Sequence, residues 1–164
     1  MDAKTVRESQ VVMSELMQPG DVNFYGTVHG GTILRMADHV AYVAACRHAG
    51  PPCVTVAVDS VSFREPIYIG EVVTMLASVN YVGNTSMEIG IKVLAENLET
   101  HTVRHTNSCY YIFVALDRNG RPRPVPRLIP ETDEEKRRYR NGEMRRELRK
   151  RYREEAERLK RASE

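Results

Sequence analysis

The chain has 164 residues, 41% of them hydrophobic, with 24 Lys+Arg against 22 Asp+Glu, three Cys and no Trp, a composition of ordinary soluble domains. The charge is unevenly placed: residues 131–164 hold ten acids and thirteen bases, leaving twelve acids and eleven bases for residues 1–130. About 130 residues bury roughly two thirds of their unfolded surface in one core and leave no room for a second domain. The boundaries are therefore a globular unit over 8–130 and a charged extension over 131–164.

In chain order, residues 9–17 (S-Q-V-V-M-S-E-L-M) predict a strand closed by Gln18-Pro19-Gly20-Asp21, and a loop of turn formers runs to Gly31. Thr32 to His48 contains no Pro or Gly, and Ile33, Met36, Ala37, Val40, Ala41 and Ala44 share one face at 100° per residue. This predicts a long core helix, stopped by Gly50-Pro51-Pro52. Val54, Val56 and Val58 then alternate with Thr55, Ala57 and Asp59, the pattern of a half-buried strand. Glu71–Val82 and Thr85–Glu96 are β-prone runs separated by Gly83-Asn84, a hairpin signal, and His105–Leu116 is a last strand ended by Asp117-Arg118-Asn119-Gly120. One strand, one long helix and four more strands make an α+β domain, with the helix packed on an antiparallel five-stranded sheet.

Prolines 122, 124, 126 and 130 predict an extended segment, and Thr132 with Glu135 forms a capping box opening a charged C-terminal helix. In that helix Met144, Leu148, Tyr152, Ala156, Leu159 and Ala162 fall in one stripe, Glu147/Arg151, Glu154/Arg158 and Glu157/Arg161 stand in the favourable i,i+4 order, and Asn141-Gly142 marks an interruption. The interleaved charges without Trp or Phe do not favour nucleic acid. The expectation is a solvated helix that packs its stripe on its own oligomer.

The longest apolar runs, Val40–Cys46 and Cys109–Leu116, are seven and eight residues, far below the roughly 20 that span a bilayer, so no membrane insertion is expected. Met1-Asp2-Ala3-Lys4 has no apolar stretch behind it, and three cysteines without a C-x-x-C pair suit a reducing compartment. The expected location is cytoplasmic.

Chemistry concentrates between Pro19 and Asp38. Gly26, Gly30 and Gly31 lead into the start of the core helix, where unpaired backbone N–H groups and the helix dipole favour an anion or developing oxyanion. Asp38 sits on the margin of the apolar face, where a carboxylate is costly without a partner or a cleft. Together they are the minimum equipment for adding water to an acyl group. The plainer alternatives are a glycine turn with a helix cap, and a surface acid paired with Arg35 or Tyr42. Metal chemistry has no support: Asp21-x-Asn23 lacks the remaining calcium ligands, and His101-x-x-x-His105 has no third ligand near it. Cys46 and Cys109 read as inert thiols, and no phosphate-binding G-x-x-x-x-G-K-[ST] motif occurs.

The stretch from Asn23 to Asp38 (N-x-x-G-x-x-H-G-G-T-I-L-x-x-x-D), followed by V-T-V-A-V-D-S-V-S-F-R-E-P-I (54–67), V-G-N-T-S (82–86) and D-R-N-G-R-P-R-P-V-P (117–126), resembles the hotdog-fold acyl-CoA thioesterases of the cytosolic acyl-CoA hydrolase type. The resemblance covers about residues 8–128. It implies a single hotdog domain that hydrolyses acyl-CoA to free fatty acid and coenzyme A, with no cofactor beyond the coenzyme A of the substrate. It also implies a homo-oligomer, at least a dimer and in relatives a hexameric trimer of dimers, with the active site at the dimer interface. By the same resemblance Asp38 is the catalytic acid, as base or nucleophile, with Asn23, Gly30 and Gly31 completing the catalytic set. Coenzyme A would be held by Arg64, the turn residues Val82, Gly83, Asn84, Thr85 and Ser86, and Arg123. The reading from a different class is a non-catalytic acyl-CoA-binding or scaffold protein that uses the charged helix.

Overall fold

The computed structural model describes residues 2–162. In chain order its elements are β1 (Lys4–Thr5), β2 (Val11–Leu16), α1 (Gly30–Ala49), β3 (Cys53–Val58), β4 (Glu71–Val82), β5 (Ser86–Asn97), β6 (Thr102–Ala115), β7 (Leu128–Ile129) and α2 (Asp133–Ala162), with short 3-10 turns at Val6–Ser9 and Pro19–Asp21. Five strands form one antiparallel sheet in the order β2-β4-β5-β6-β3, and β1 pairs with β7 in a small parallel ribbon.

The expected core helix begins two residues earlier than its sequence pattern, at Gly30, because the His29 imidazole Nδ1 accepts the Gly31 N–H at 2.9 Å and caps the first turn. Its apolar face (Ile33, Met36, Ala37, Val40, Ala41, Ala44) is at most 2% exposed and packs on the inward positions of the sheet, Val73, Met75, Ile89, Val93, Tyr111 and Phe113 among them. The helix C-terminus is held by Arg123, whose guanidinium donates to the Ala49 and Gly50 carbonyls at 2.7 and 2.6 Å, while its Nε donates to Leu116. His48, fully buried, meets the Pro126 carbonyl at 2.9 Å. The proline-rich segment is thereby a strap that closes the end of α1.

The strand β3 departs from expectation. Thr55 pairs with Phe113 and faces α1, the register slips between Thr55 and Ala57, and Val54, Val56 and Val58 are 40%, 54% and 48% exposed. The alternation was that of a half-buried strand, but β3 lies at the sheet edge and this chain alone does not cover it.

Helix α2 also differs from the sequence pattern. It runs without interruption through Asn141-Gly142, and the Thr132/Glu135 capping box forms as expected. The apolar stripe points outward, with Met144, Leu148 and Tyr152 57%, 55% and 79% exposed. The face turned to the sheet carries Tyr139, Gly142, Arg145 and Arg149 instead. The reason is the sheet: its outer surface presents buried Glu88, whose carboxylate takes Arg145 at 2.6 and 3.1 Å and Arg149 at 3.3 Å. Gly142 is required for this approach, since a Cβ there would lie 2.7 Å from Tyr81 Cβ. The three predicted i,i+4 pairs do not form among the described residues; Glu134 pairs with Arg137 and Arg138, and Glu155 with Arg158. His105 lies in β6, within the expected last strand, and no group of His, Cys, Asp and Glu able to hold a metal occurs among the described residues.

Candidate active site

The loop before α1 is built by Asn23. Its Oδ1 accepts the N–H groups of Tyr25 and Thr27 at 2.9 and 3.3 Å, and its Nδ2 donates to Thr27 Oγ1 at 2.9 Å. This side-chain turn lets Gly26 take a φ of 78°. The loop is pinned by Val28 N–H to the Ile67 carbonyl and His29 N–H to the Asp21 carbonyl, each 2.7 Å. Phe24 and Tyr25 are fully exposed at its tip.

At the helix start the two glycines differ. The Gly31 N–H is occupied by His29, whereas the Gly30 N–H has no acceptor among the described residues. The Phe63 ring lies 3.3 Å from where a Gly30 Cβ would stand, so any side chain at this position would press on the ring. Of the pair, Gly30 is therefore the one whose N–H stays open among the described residues.

Asp38 is half-buried two turns along α1. Its Oδ1 accepts Thr55 Oγ1 at 2.6 Å; neither Arg35 nor Tyr42 pairs with it, and the second oxygen is open. A carboxylate with one oxygen oriented and the other free is suited to take a proton from water or to attack an acyl carbon. Thr55 is the site residue that sequence reasoning missed. Its signal was present: a hydroxyl in an alternating valine strand, in which nothing local tells which of the two faces meets α1.

The two buried cysteines offer no competing nucleophile. Burial pushes Cys109 up to about 12, and Cys53 up to about 12 with Cys46 beside it, so neither forms a thiolate near neutral pH.

Among the expected coenzyme A residues, Arg64 is exposed on the segment after β3, with only its backbone N–H engaged. Val82 is buried in the core. In the turn, Gly83 N–H donates to Ser86 and the Asn84 and Thr85 carbonyls accept from Val125 and Ala115, leaving the Asn84 and Thr85 N–H groups without acceptors among the described residues. Arg123 is occupied with the end of α1 and lies away from Asp38. Beside the turn, Arg146, Lys150 and Arg153 of α2 line a cleft of about 450 Å³ with Ser86. The charged helix thus brings cations to the turn that composition alone could not place there.

A family model described as Thioesterase superfamily matches residues 25–101. Protein VdlD of Helicobacter pylori is 46% identical over 90% of this chain and 84% of its own length. An uncharacterized acyl-CoA thioester hydrolase of Bacillus subtilis, YkhA, is 39% identical over 82% of this chain and 78% of its own. This chain belongs to the thioesterase superfamily. The acyl-CoA hydrolase of Staphylococcus aureus, solved with butyryl coenzyme A and coenzyme A, superposes with a TM-score of 0.89 at 34% identity and covers 96% of each chain. The five-stranded sheet around a long central helix is accordingly a hotdog fold.

Proposed function

We propose that Asp38 is the acid through which this chain, an acyl-CoA thioester hydrolase, cleaves its substrate to a free carboxylic acid and coenzyme A. The observation that carries the assignment is Asp38 itself, one oxygen set by Thr55 and the other open. Support comes from Staphylococcus aureus hydrolase variants solved with alanine at an asparagine, an aspartate and a threonine. Those positions are separated by 15 and 17 residues, the spacings of Asn23, Asp38 and Thr55 here.

In this mechanism the open oxygen of Asp38 takes a proton as water attacks the thioester carbon. The tetrahedral oxyanion is met by the Gly30 N–H at the positive end of α1. The C–S bond then breaks, and the departing thiolate recovers the proton from Asp38. Attack by Asp38 itself, through a mixed anhydride opened by water, uses the same groups; a single turnover in ¹⁸O-water separates the two, since only the anhydride route can place label in the Asp38 carboxylate.

Eight residues along α1 separate Gly30 from Asp38, a rise of about 12 Å, too far for both to serve one carbonyl. The site therefore needs Gly30 from one copy and Asp38 from another. A homo-oligomer built of dimers joined through β3 supplies this and covers the exposed valines; neighbours in the family are solved as hexamers, the assembly we assign to this chain. Coenzyme A is held in this reading by Arg64, the Asn84 and Thr85 amides and the α2 cations near Ser86. No further cofactor is needed. Three free thiols accord with a reducing, cytoplasmic setting.

The test is thiol release from a panel of C2 to C18 acyl-CoAs. Asp38→Asn is expected to lose about 100-fold or more of kcat, since general base catalysis is worth roughly 10²–10⁴. Near-wild-type turnover in that variant overturns the assignment, and tight acyl-CoA binding without turnover in the unaltered chain returns the binding-protein reading.

A further inference from the structure

On the face of the sheet turned away from α1, a cavity of about 510 Å³ lies under the first half of α2 beside β2. Its floor holds two buried polar side chains, Ser78 at 6% and Asn80 at 5% exposure. Neither side chain makes a hydrogen bond to another described residue. Their polar atoms are not among the buried unsatisfied ones and open into the cavity, so the floor presents a hydroxyl and an amide that a ligand can meet in place of water.

The floor is built for this exposure. The β4–β5 register slips between Val79 and Tyr81, which leaves Asn80 as the extra residue of a bulge. Its amide folds over Gly90, where a Cβ would stand 2.2 Å from Nδ2 and exclude it. The rim is cationic: Lys92, Arg137 and Arg138 line it with Glu134 as the one acid, and Glu134 is already held by both arginines at 2.7 and 2.9 Å. Lys92 has no acidic partner among the described residues. The aromatic face in the wall, Tyr110, is covered by the Arg145 guanidinium 3.7 Å from the ring centre, which leaves no platform there for a stacked base.

We propose that this cavity binds a phosphorylated sugar or polyol, its phosphate on the Lys92–Arg138 rim and its hydroxyls on Ser78 and Asn80. Arginine and lysine recognise phosphate as a charge-assisted acceptor, and an amide with a neighbouring hydroxyl offers the donor and acceptor that a sugar hydroxyl needs. A volume of this size suits a small-molecule ligand. The site is separate from Asp38, which lies on the α1 side of the sheet, so its occupancy is read by binding and not by turnover.

Calorimetry on the intact oligomer with glucose 6-phosphate, glucose, inorganic phosphate and AMP tests it. Glucose 6-phosphate is expected to bind with a Kd of about 1 mM or tighter, and Asn80→Ala and Lys92→Gln are each expected to weaken it by about tenfold. Lys92→Gln alters an exposed side chain and keeps the test intact should Asn80→Ala fail to fold. No binding of glucose 6-phosphate overturns the proposal. Equal binding of inorganic phosphate reduces the site to an adventitious anion patch and overturns the sugar component, and tighter AMP binding does the same. Loss of the oligomer in Asn80→Ala, without glucose 6-phosphate binding by the unaltered chain, makes the cavity a subunit contact and also overturns it.

Discussion

The Thr55 hydroxyl 2.6 Å from Asp38 fixes which carboxylate oxygen faces the open space. Thr55→Val keeps the shape of the side chain and removes the donor. Loss of one such orienting bond, at about 1.4 kcal/mol, lowers kcat roughly tenfold with little change in KM, and Thr55→Ser restores most of it; steady-state kinetics on the three forms gives the comparison. A second residue acts on stability. His48 is fully buried against the Pro126 carbonyl, and burial holds its pKa below the ordinary histidine value, with Lys4 adding to the depression. The unfolded chain therefore takes up this proton at higher pH than the folded one. Stability is highest above about pH 6.5 and falls as pH drops below it. Urea unfolding at pH 7.5 and 5.5 should show this slope in the wild type and a shallower one in His48→Gln; equal slopes would remove His48 as the cause.

Between α2 and the sheet, the decisive group is Glu88, 2% exposed and met by two arginines. Arg145→Ala together with Arg149→Ala leaves a buried carboxylate unpaired, a loss of about 3–5 kcal/mol, measurable as a fall in the urea midpoint. Glu88→Gln in the same background should recover part of it by removing the stranded charge. Arg149 also binds Asp59 at 2.6 Å just past β3, so α2 steadies the segment that carries Arg64 on the way to the site. This coupling was not legible in the sequence. The central helix and the hairpins were, because their signals are local: a 3.6-residue apolar period in α1 and a glycine turn at residue 83. The family motifs likewise pointed to Asp38, Asn23 and the glycine pair. The orientation of α2 depends on a carboxylate 57 residues earlier in the chain, and its apolar stripe faces outward because the surface beneath is polar. Arg123 was read as a ligand contact when it closes the end of α1, since nothing local distinguishes an arginine facing carbonyls from one facing solvent. Thr55 was hidden because the alternation of an edge strand does not by itself say which of its two faces meets the helix.

At the scale of the molecule, the exposed edge of β3 and the separation of Gly30 from Asp38 make one claim, that no single chain holds a whole site. An apolar sheet edge is a pairing surface, and in a two-fold dimer each site takes one half from each copy. Two defective variants can therefore repair each other. Asp38→Asn lacks the acid, and Gly30→Ala drives a methyl against the Phe63 ring 3.3 Å away and crowds the oxyanion position. In a mixed dimer, the Gly30 end of the first variant meets the intact Asp38 of the second, while the opposite site carries both lesions. Random mixing makes about half the dimers mixed, each with one of two sites intact, so co-refolded protein should regain about one quarter of wild-type kcat per subunit, although each variant alone stays near background. If the pair stays inactive while native mass measurement shows the mixed dimer has formed, Gly30 and Asp38 belong to the same site within one chain, and the two-copy arrangement fails.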